Sequence, residues 1–432
     1  MSASSGSGTR TSSASAPKPK PPASTTAPTA SAPVSAPPPV ATVATTAKPP
    51  ARAGEMAKSS NAFGLDLFQK LRTTSPANLT FSPTSISAAL AMTWGGAGGV
   101  TADEMKKVLH IEGSQADGVT AMGGLLNWVG APNQPLTVRV ANRLFGAKSY
   151  PFNPTYLETT RTAFGAPLEV MDFQGDASGA RTRINGWVED QTEKRIRDLL
   201  PEDAVQPDTR LVLVNAVYFL GKWASPFEKE ATSDQPFSVL GGAKKNVPTM
   251  HKLDTYGYAE VDGTQIARMP FKGNGYAMYI LLPKDEASLA KLEASLTGDS
   301  LGEMLKKTTD QNVSIALPKF ELAPPNAMEL SGPLATLGMP SAFDSKTADF
   351  SLMSENAKNG ALVVSHVLHK AFVKVDEEGT EAAAATAVVM GDGAAMPPQA
   401  KEFIADHPFL FVLREETTGL VLFMGRVADP SR

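Results

Sequence analysis

The sequence predicts one large α+β domain, residues 56–432, behind a disordered tether, residues 1–55. Three observations support this prediction. The composition changes abruptly near residue 55, helix and strand patterns mix irregularly beyond it, and no repeat of fixed period is present. A doubly wound fold would instead show strands and helices in regular alternation. With 432 residues, 42% of them hydrophobic, the chain can bury a sizeable core.

The tether lacks the composition of a folded domain. Residues 1–54 hold 11 of the 34 prolines, no acidic and no aromatic residue, and are otherwise mostly Ala, Ser and Thr. Such a segment cannot bury enough surface to offset chain entropy, so we expect it to be disordered and semi-extended. The rest of the chain has 35 basic and 44 acidic residues, which argues against nucleic acid as a partner.

Two helices are predicted at the start of the domain. Residues 59–71, SSNAFGLDLFQKL, place apolar side chains on one face behind a Ser/Asn cap. Residues 81–96, FSPTSISAALAMTWGG, have Ser82 as N-cap, Pro83 in the first turn and Gly95 as the stop. Both patterns are typical of helices that pack against a core.

The later part of the chain is rich in strand patterns. Apolar and β-branched runs bounded by turn residues predict strands, and two such runs joined by a polar turn with Gly419 predict a hairpin. The predicted strands are 210–221, 276–283, 313–320 and 361–375, and the hairpin is 408–427.

Several kinds of site are excluded or disfavoured by the residues present. The chain has no cysteine, so it has no disulfide, thiol nucleophile or cysteine-based metal site. Of the five histidines, only His366 and His369 have ligand-like spacing, and that spacing needs a helix where the pattern predicts a strand. We therefore expect no metal and no cofactor.

Enzyme motifs are also not found. Residues 94–101, WGGAGGVT, lack the ending of a phosphate-binding loop and predict a turn after a helix. No GxSxG motif accompanies a catalytic triad. The acids Glu377 and Glu378 are adjacent, so on a strand their side chains would point apart and could not share acid–base work. We do not expect an enzyme.

Targeting signals are not expected from the hydropathy of the chain. No apolar run approaches the roughly 18 to 20 residues that cross a bilayer, and the N-terminus lacks the apolar stretch of a secretory signal. The tether is similar to spacers that hold domains away from a cell surface, which favours a location outside the cell or in the cell envelope.

Residues 375–399, VDEEGTEAAAATAVVMGDGAAMPPQ, are compatible with two structures. Alanine favours a short surface helix or a linker, and composition alone favours this alternative. As a strand, alternate residues from Thr380 to Met390 form a face without charge. Residues 375–396 contain no proline, so the whole backbone of this stretch could pair with strands on either side.

Further motifs occur in a fixed order along the chain: NLTFSPTSISAALAM (78–92), INGWVEDQTEKRI (184–196), LVNAVYFLGKWASPF (213–227), LPKFEL (317–322), VDEEGTEAAAAT (375–386), HPFLFVL (407–413) and GLVLFMGRV (419–427). On these motifs the chain resembles the serpin family from about residue 56 to residue 432, and this resemblance favours the strand. One departure is TEKRI (192–196), where many members have a glycine before the lysine.

The resemblance implies a fold and a mechanism. Serpins have three β-sheets, eight or nine helices and an exposed reactive-centre loop, here about residues 377–400. A serine or sometimes a cysteine protease cleaves the loop and is trapped as an acyl-enzyme while the loop inserts into the main sheet. The resemblance implies a monomeric inhibitor of bacterial type that forms a covalent complex with its target. A non-inhibitory carrier or chaperone is the alternative.

The resemblance also assigns residues to sites. The inward positions of the hinge are small, which is typical of inhibitory members. A buried polar cluster called the shutter lies under the point where the sheet parts, and the breach lies at the top of the sheet. The hinge is Glu377, Glu378, Gly379, Thr380, Glu381, Ala382, Ala383, Ala384, Ala385 and Thr386; the shutter is Ser82, Ser85, Asn215 and His369; the breach is Trp223, Lys319 and Glu377.

The reactive bond is placed by two counts that differ by one residue. Counting forward from the hinge puts the cut after Gly393, and counting back from Pro397 puts it after Ala394, before Ala395. Both give a small residue at the specificity position, which favours an elastase-like or subtilisin-like protease. A trypsin-like target is disfavoured, because the first basic residue downstream is Lys401.

Overall fold

A computed structural model describes residues 48–74, 77–131, 137–165, 168–273, 275–380 and 400–432. The helices are α1 (Ala53–Thr74), α2 (Pro83–Trp94), α3 (Gly99–Val108), α4 (Gln115–Val129), α5 (Pro154–Phe164), α6 (Ala177–Gln191), α7 (Glu286–Ser295), α8 (Gly298–Lys306) and α9 (Ser331–Leu337). The first strands are β1 (Leu79–Phe81), β2 (Thr137–Ala147), β3 (Glu169–Met171), β4 (Leu211–Lys222), β5 (Ser233–Ser238), β6 (Lys244–Val261), β7 (Thr264–Pro270) and β8 (Tyr276–Pro283). The later strands are β9 (Thr309–Pro318), β10 (Phe320–Leu322), β11 (Met328–Glu329), β12 (His366–Val375), β13 (Gly379–Thr380), β14 (Lys401–Ile404), β15 (Phe409–Glu415) and β16 (Val421–Val427).

The main sheet has the strand order β10-β12-β4-β2-β3, with β11 paired to β12 and β13 paired to β4. β4 and β12 are parallel neighbours, in register from Val212 opposite His366 to Tyr218 opposite Phe372. We call this pairing the seam. Because β2 flanks β4 and β10 flanks β12, the seam lies in the middle of the sheet.

The remaining strands form one continuous sheet in the order β1-β16-β15-β8-β7-β6-β9-β14, with β5 also paired to β6. β6 is 18 residues long. Its first part pairs with β5, its middle with β9 and its last part with β7. The resemblance implies three sheets. In this structure the two sheets other than the main sheet are continuous with each other through β6.

Two apolar cores lie on opposite faces of the main sheet. Alternate β4 side chains enter the larger core, which contains α2, and the others enter a smaller core, which contains α6. Every residue of α2 is buried, which explains why this helix carries no charged residue. The β4 residues of the larger core are Leu211, Leu213, Val217 and Phe219, and those of the smaller core are Val212, Val214, Ala216 and Tyr218.

The α+β class is confirmed, and so are several predicted elements. α2 begins after the N-cap Ser82, has Pro83 in its first turn and stops at Gly95. The glycine-rich residues that follow form a turn before α3. β8 matches the predicted strand 276–283, and β15 and β16 form the predicted hairpin.

Other boundaries differ from the prediction. The Ser/Asn cap predicted for the first helix is wrong, because α1 already begins at Ala53. Its extra turns bury Met56 and Ala57, so packing extends the helix beyond the local cap signal. The start of α1 also falls inside the segment expected to be tether. The predicted strand 313–320 is divided, because β9 ends at Pro318 and β10 begins at Phe320.

In the ranges that the structure describes, no helix combines the length and apolarity needed to cross a membrane.

Candidate functional site

The hinge begins at the top of the seam. After β12 the chain reverses in a tight turn in which Asp376 and Gly379 exchange backbone hydrogen bonds of 2.9 and 3.2 Å. Gly379 and Thr380 then pair antiparallel with Lys222 and Gly221 of β4. Gly379 has φ +138° and lies against the Gly221 carbonyl oxygen, so neither the conformation nor the space suits a side chain.

Trp223 holds this turn in place. Its ring stacks on Phe271 at 4.6 Å between centroids, and its indole N–H donates to the Asp376 carbonyl at 3.0 Å. Its backbone N–H donates to the Glu378 carbonyl at 2.9 Å, and the Phe227 N–H donates to the Glu377 carbonyl at 2.8 Å. The breach residue therefore fixes the backbone of the hinge as well as filling the space beneath it.

Glu377 is bound by two partners from other elements. Lys319 Nζ lies 2.8 Å from Glu377 Oε2, and Thr232 Oγ1 donates to Glu377 Oε1 at 2.8 Å. Burial alone would raise the pKa of Glu377, but the hydrogen bonds from Lys319 and Thr232 and the lysine charge lower it below its usual value. Glu378 points elsewhere and lies 3.2 Å from Lys229 Nζ. The two adjacent acids thus have separate partners.

The four residues assigned to the shutter lie together beneath the seam. His369 of β12 contacts the Asn215 side-chain oxygen of β4 through Nδ1, and its Nε2 accepts the Ser82 backbone N–H at 3.2 Å. Ser82 caps α2 by accepting the Ser85 N–H at 3.1 Å. Asn215 Nδ2 donates to Ser85 Oγ at 2.6 Å. The cluster therefore connects both strands of the seam to the N-terminus of α2.

His369 is neutral in this cluster. Complete burial lowers its pKa to about 3, despite a hydrogen bond with Asn215 that opposes the shift. Because Nε2 accepts a backbone N–H, the ring proton is on Nδ1 and is donated to Asn215. A single neutral hydrogen bond between side chains thus crosses the seam at this level, and it can exchange partners without moving a charge.

Sequence reasoning missed Asn142, which belongs to the same cluster. Asn142 lies opposite Asn215 on β2, and its side-chain oxygen accepts from Asn215 at 2.6 Å and from Ser85 at 3.1 Å. Its Nδ2 donates to the Ser85 carbonyl at 3.1 Å. No strand was predicted from the sequence at residues 137–147, so no pattern pointed to Asn142. Thr232 and Asp376 were also missed, because only the folded chain brings them to the breach.

His366 does not join His369. Its Nδ1 lies 3.0 Å from Glu329 Oε2 on the other face of the main sheet. Hydrogen bonding to Glu329 raises the pKa of His366. Within the described ranges, no three His, Asp or Glu side chains are placed to hold a metal ion.

Part of the expected site lies outside the described residues. These are the hinge residues Glu381, Ala382, Ala383, Ala384, Ala385 and Thr386, the reactive-bond residues Gly393, Ala394 and Ala395, and tether residues 1–47.

Comparisons with known proteins agree with this geometry. A family model described as Serpin (serine protease inhibitor) matches residues 58–430. The leukocyte elastase inhibitor of Bos taurus is 41% identical over 386 residues, covering 87% of this chain and 100% of that protein. Its Homo sapiens counterpart is 39% identical over 387 residues, with the same coverage.

Solved structures give the same result. Serpin48 of Tenebrio molitor superposes with a TM-score of 0.76 at 30% identity, covering 87% of this chain and 98% of that chain. Uncleaved ovalbumin superposes with a TM-score of 0.78 at 29% identity, covering 87% of this chain and 100% of that chain. These relatives support neither the bacterial type nor the extracellular location expected from the sequence. The motifs, the fold and the matches agree that this chain belongs to the serpin family of serine protease inhibitors.

Proposed function

We propose that this protein is an irreversible suicide-substrate inhibitor of serine proteases with elastase-like or subtilisin-like specificity. One observation carries the proposal. The hinge already pairs antiparallel with the end of β4 at Gly379 and Thr380, while β4 and β12 pair directly below it. The uncleaved protein therefore has the start of a new strand in place and the site for the rest of that strand closed.

The observed register defines where the inserted strand would lie. Thr380 opposite Gly221 places Thr386 opposite Asn215 and Met390 opposite Leu211, so residues 379–390 span the 12 residues of β4. Residues paired directly in an antiparallel sheet share a face. Asn215 faces Ser85 and the larger core. The even-numbered residues from Thr380 to Met390, none of them charged, would face that core.

Insertion would improve the pairing of the main sheet. Because β4 and β12 are parallel, a strand antiparallel to one is antiparallel to both. One parallel pairing is thereby exchanged for two antiparallel pairings, which are more stable per residue. With about 0.5–1.5 kcal/mol net for each added hydrogen bond, a strand of this length stabilises the inserted form by on the order of 10 kcal/mol. The uncleaved form is then metastable.

The chemistry that releases this energy belongs to the protease. Its serine oxygen attacks the carbonyl carbon of the residue before the cut, Gly393 or Ala394. An ester bond forms, the peptide bond breaks, and the downstream residue leaves as a free amine. Water would normally hydrolyse the ester. The inserting strand carries the esterified protease away from its bound position and distorts it, so hydrolysis stops and a one-to-one covalent complex remains.

Specificity follows from the residues around the cut. Gly393, Ala394 and Ala395 suit a shallow specificity pocket, and two of the similar proteins are named leukocyte elastase inhibitors. An enzyme whose pocket requires Arg, Lys or a large aromatic residue would find none at these positions.

A non-inhibitory carrier is the second candidate. Human thyroxine-binding globulin, solved with its ligand, superposes with a TM-score of 0.79 at 27% identity, so the fold also serves binding proteins. The hinge favours inhibition, because its inward positions carry no proline, charge or bulky group.

The experiment is incubation of the full chain with elastase-type, subtilisin-type and trypsin-type proteases, followed by denaturing gels and mass spectrometry. We expect a complex that survives denaturant with the first two classes and a cut after Gly393 or Ala394. Turnover of the chain by every protease, without a covalent complex, would contradict the proposal and favour the carrier.

A further inference from the structure

Residues 192–200, which follow α6, cross the seam on the face of the main sheet that carries the smaller core. We call this segment the strap. Its apolar residues Ile196, Leu199 and Leu200 are buried in the smaller core together with Tyr218 of β4 and Phe372 of β12. The strap therefore packs against both strands that a new strand would have to separate.

Polar contacts tie the strap to both sides of the seam. On the α6 side, Asn185 donates to the Leu200 carbonyl at 3.0 Å and accepts the Leu200 N–H at 2.8 Å. On the β12 side, Lys370 Nζ donates to the Arg197 carbonyl at 3.0 Å. The Arg195 guanidinium lies 5.9 Å from the centre of the Phe372 ring.

Opening the seam is incompatible with keeping all of these contacts. Tyr218 and Phe372 are paired across the seam, with 6.1 Å between their ring centres. An inserted strand would add roughly 4.7–4.9 Å to the separation of β4 and β12. The strap is bound to α6 through Leu200 and to β12 through Arg197, so one of these two attachments must then break.

The strap begins in a strained conformation. Glu193 has φ +51° and Lys194 has φ +61°, and Asp198 further along has φ +48°. The Lys194 N–H donates to the Glu189 carbonyl at 2.7 Å, which places Glu193 at the position after a helix end where glycine is usual. A side chain with a Cβ is disfavoured in this left-handed region.

No contact of the Glu193 side chain offsets this strain strongly. Its carboxylate lies 3.6 Å from the Arg139 guanidinium, and both side chains are about half exposed. Such a pair contributes little. The positive φ of Glu193, which its side chain does not offset, therefore raises the free energy of the closed strap.

We propose that Glu193 is a positioning residue for inhibition: its strained backbone weakens the strap and so speeds the opening of the seam. This step rests on the proposed insertion of the loop. Strain present in the closed state and relieved on release lowers the barrier to release. Glycine at this position would remove the strain and so stabilise the closed strap. The greater conformational freedom of glycine in the released chain would offset part of this stabilisation.

The test compares Glu193→Gly with Glu193→Ala, which keeps the Cβ and loses the contact with Arg139. The readout is the rate at which a synthetic peptide, TEAAAATAVVMG (380–391), anneals to the full uncleaved chain, followed on native gels. We expect Glu193→Gly to slow annealing about two- to fivefold and Glu193→Ala to change it less than about twofold. Asp198→Gly against Asp198→Ala should show the same difference.

The outcomes separate the two proposals. Equal rates for the glycine and alanine variants, or faster annealing of Glu193→Gly, would overturn the role of Glu193 and leave the proposed function intact. A peptide that annealed to no variant, together with a cleaved chain no more stable than the intact one, would overturn the proposed function and this step with it.

Discussion

Glu377 shows how one side chain fixes the point where the hinge starts. It is almost fully buried, its carboxylate is held by Lys319 and Thr232, and its carbonyl is held by Phe227. Trp223 holds the neighbouring backbone at the same level. The turn after β12 is thereby held before any protease binds.

Replacing Glu377 by Gln should destabilise the uncleaved protein at neutral pH. Lys319 is partly exposed, so the loss is discounted for solvent screening to about 1 kcal/mol. The folded-state pKa of Glu377 is lowered from 4.5, so its contribution is complete above that pH and is lost as the pH falls through the lowered value. Urea unfolding should show a larger difference between wild type and variant at pH 7 than at pH 3.

Glu321→Gln is the matched control, because Glu321 forms a longer, exposed pair of 3.8 Å with Lys374 on the neighbouring strand. If both variants lowered the free energy of unfolding equally, the Glu377–Lys319 pair would contribute no more than an exposed ion pair.

Asn142→Ala should destabilise the shutter. The change leaves Asn215 Nδ2 and Ser85 Oγ without their shared acceptor in a buried position. A buried donor without its partner costs about 1–3 kcal/mol. The measurement is the shift of the urea midpoint relative to Asn246→Ala, an exposed asparagine of β6 that should shift it by less than about 0.5 kcal/mol.

The strands of the seam determine what the hinge can contain. β4 is buried along nearly its whole length, and its alternate residues enter different cores. A strand inserted beside it must therefore present small or apolar groups inward, whereas polar groups are tolerated on the outer face near the half-buried Leu220.

Thr380→Arg should convert the inhibitor into a substrate. By the register, residue 380 faces the larger core after insertion, so the guanidinium would have to be buried. We expect the stoichiometry of inhibition to rise at least about tenfold, with cleaved chain in place of complex on denaturing gels. Glu381→Arg, on the opposite face, should inhibit as wild type does. Full trapping by Thr380→Arg would show that the assignment of faces is reversed.

The elements differ in how well the sequence predicts them. α2 was predicted to the residue because Ser82, Pro83 and Gly95 are local signals. The start of α1 was missed because it depends on packing of Met56 and Ala57. β6 was not predicted, since much of its first half is polar and exposed. Asn142 and Thr232 contact residues far away in the chain, and no periodicity reports such contacts.

Cleavage should make the molecule more stable as a whole. The added strand extends the pairing at the centre of the main sheet, and on the order of 10 kcal/mol raises the melting temperature by about 10–20 °C or more in a domain of this size. Calorimetry of intact and loop-cleaved chain measures this directly. The same scans on the Thr380→Arg variant should show a smaller rise, and an unchanged melting temperature after cleavage of the wild type would mean that no strand had been added.

The preformed turn at residues 376–379 should make insertion of the loop faster. Reversing the chain direction is the slow, entropically costly step in starting a hairpin, and extension afterwards is fast, within microseconds. Here the reversal exists before the protease arrives, since Gly379 and Thr380 are already paired with β4. The race against ester hydrolysis is then decided by how quickly β4 and β12 part, and mutations that change inhibition without changing affinity should cluster along their shared edge.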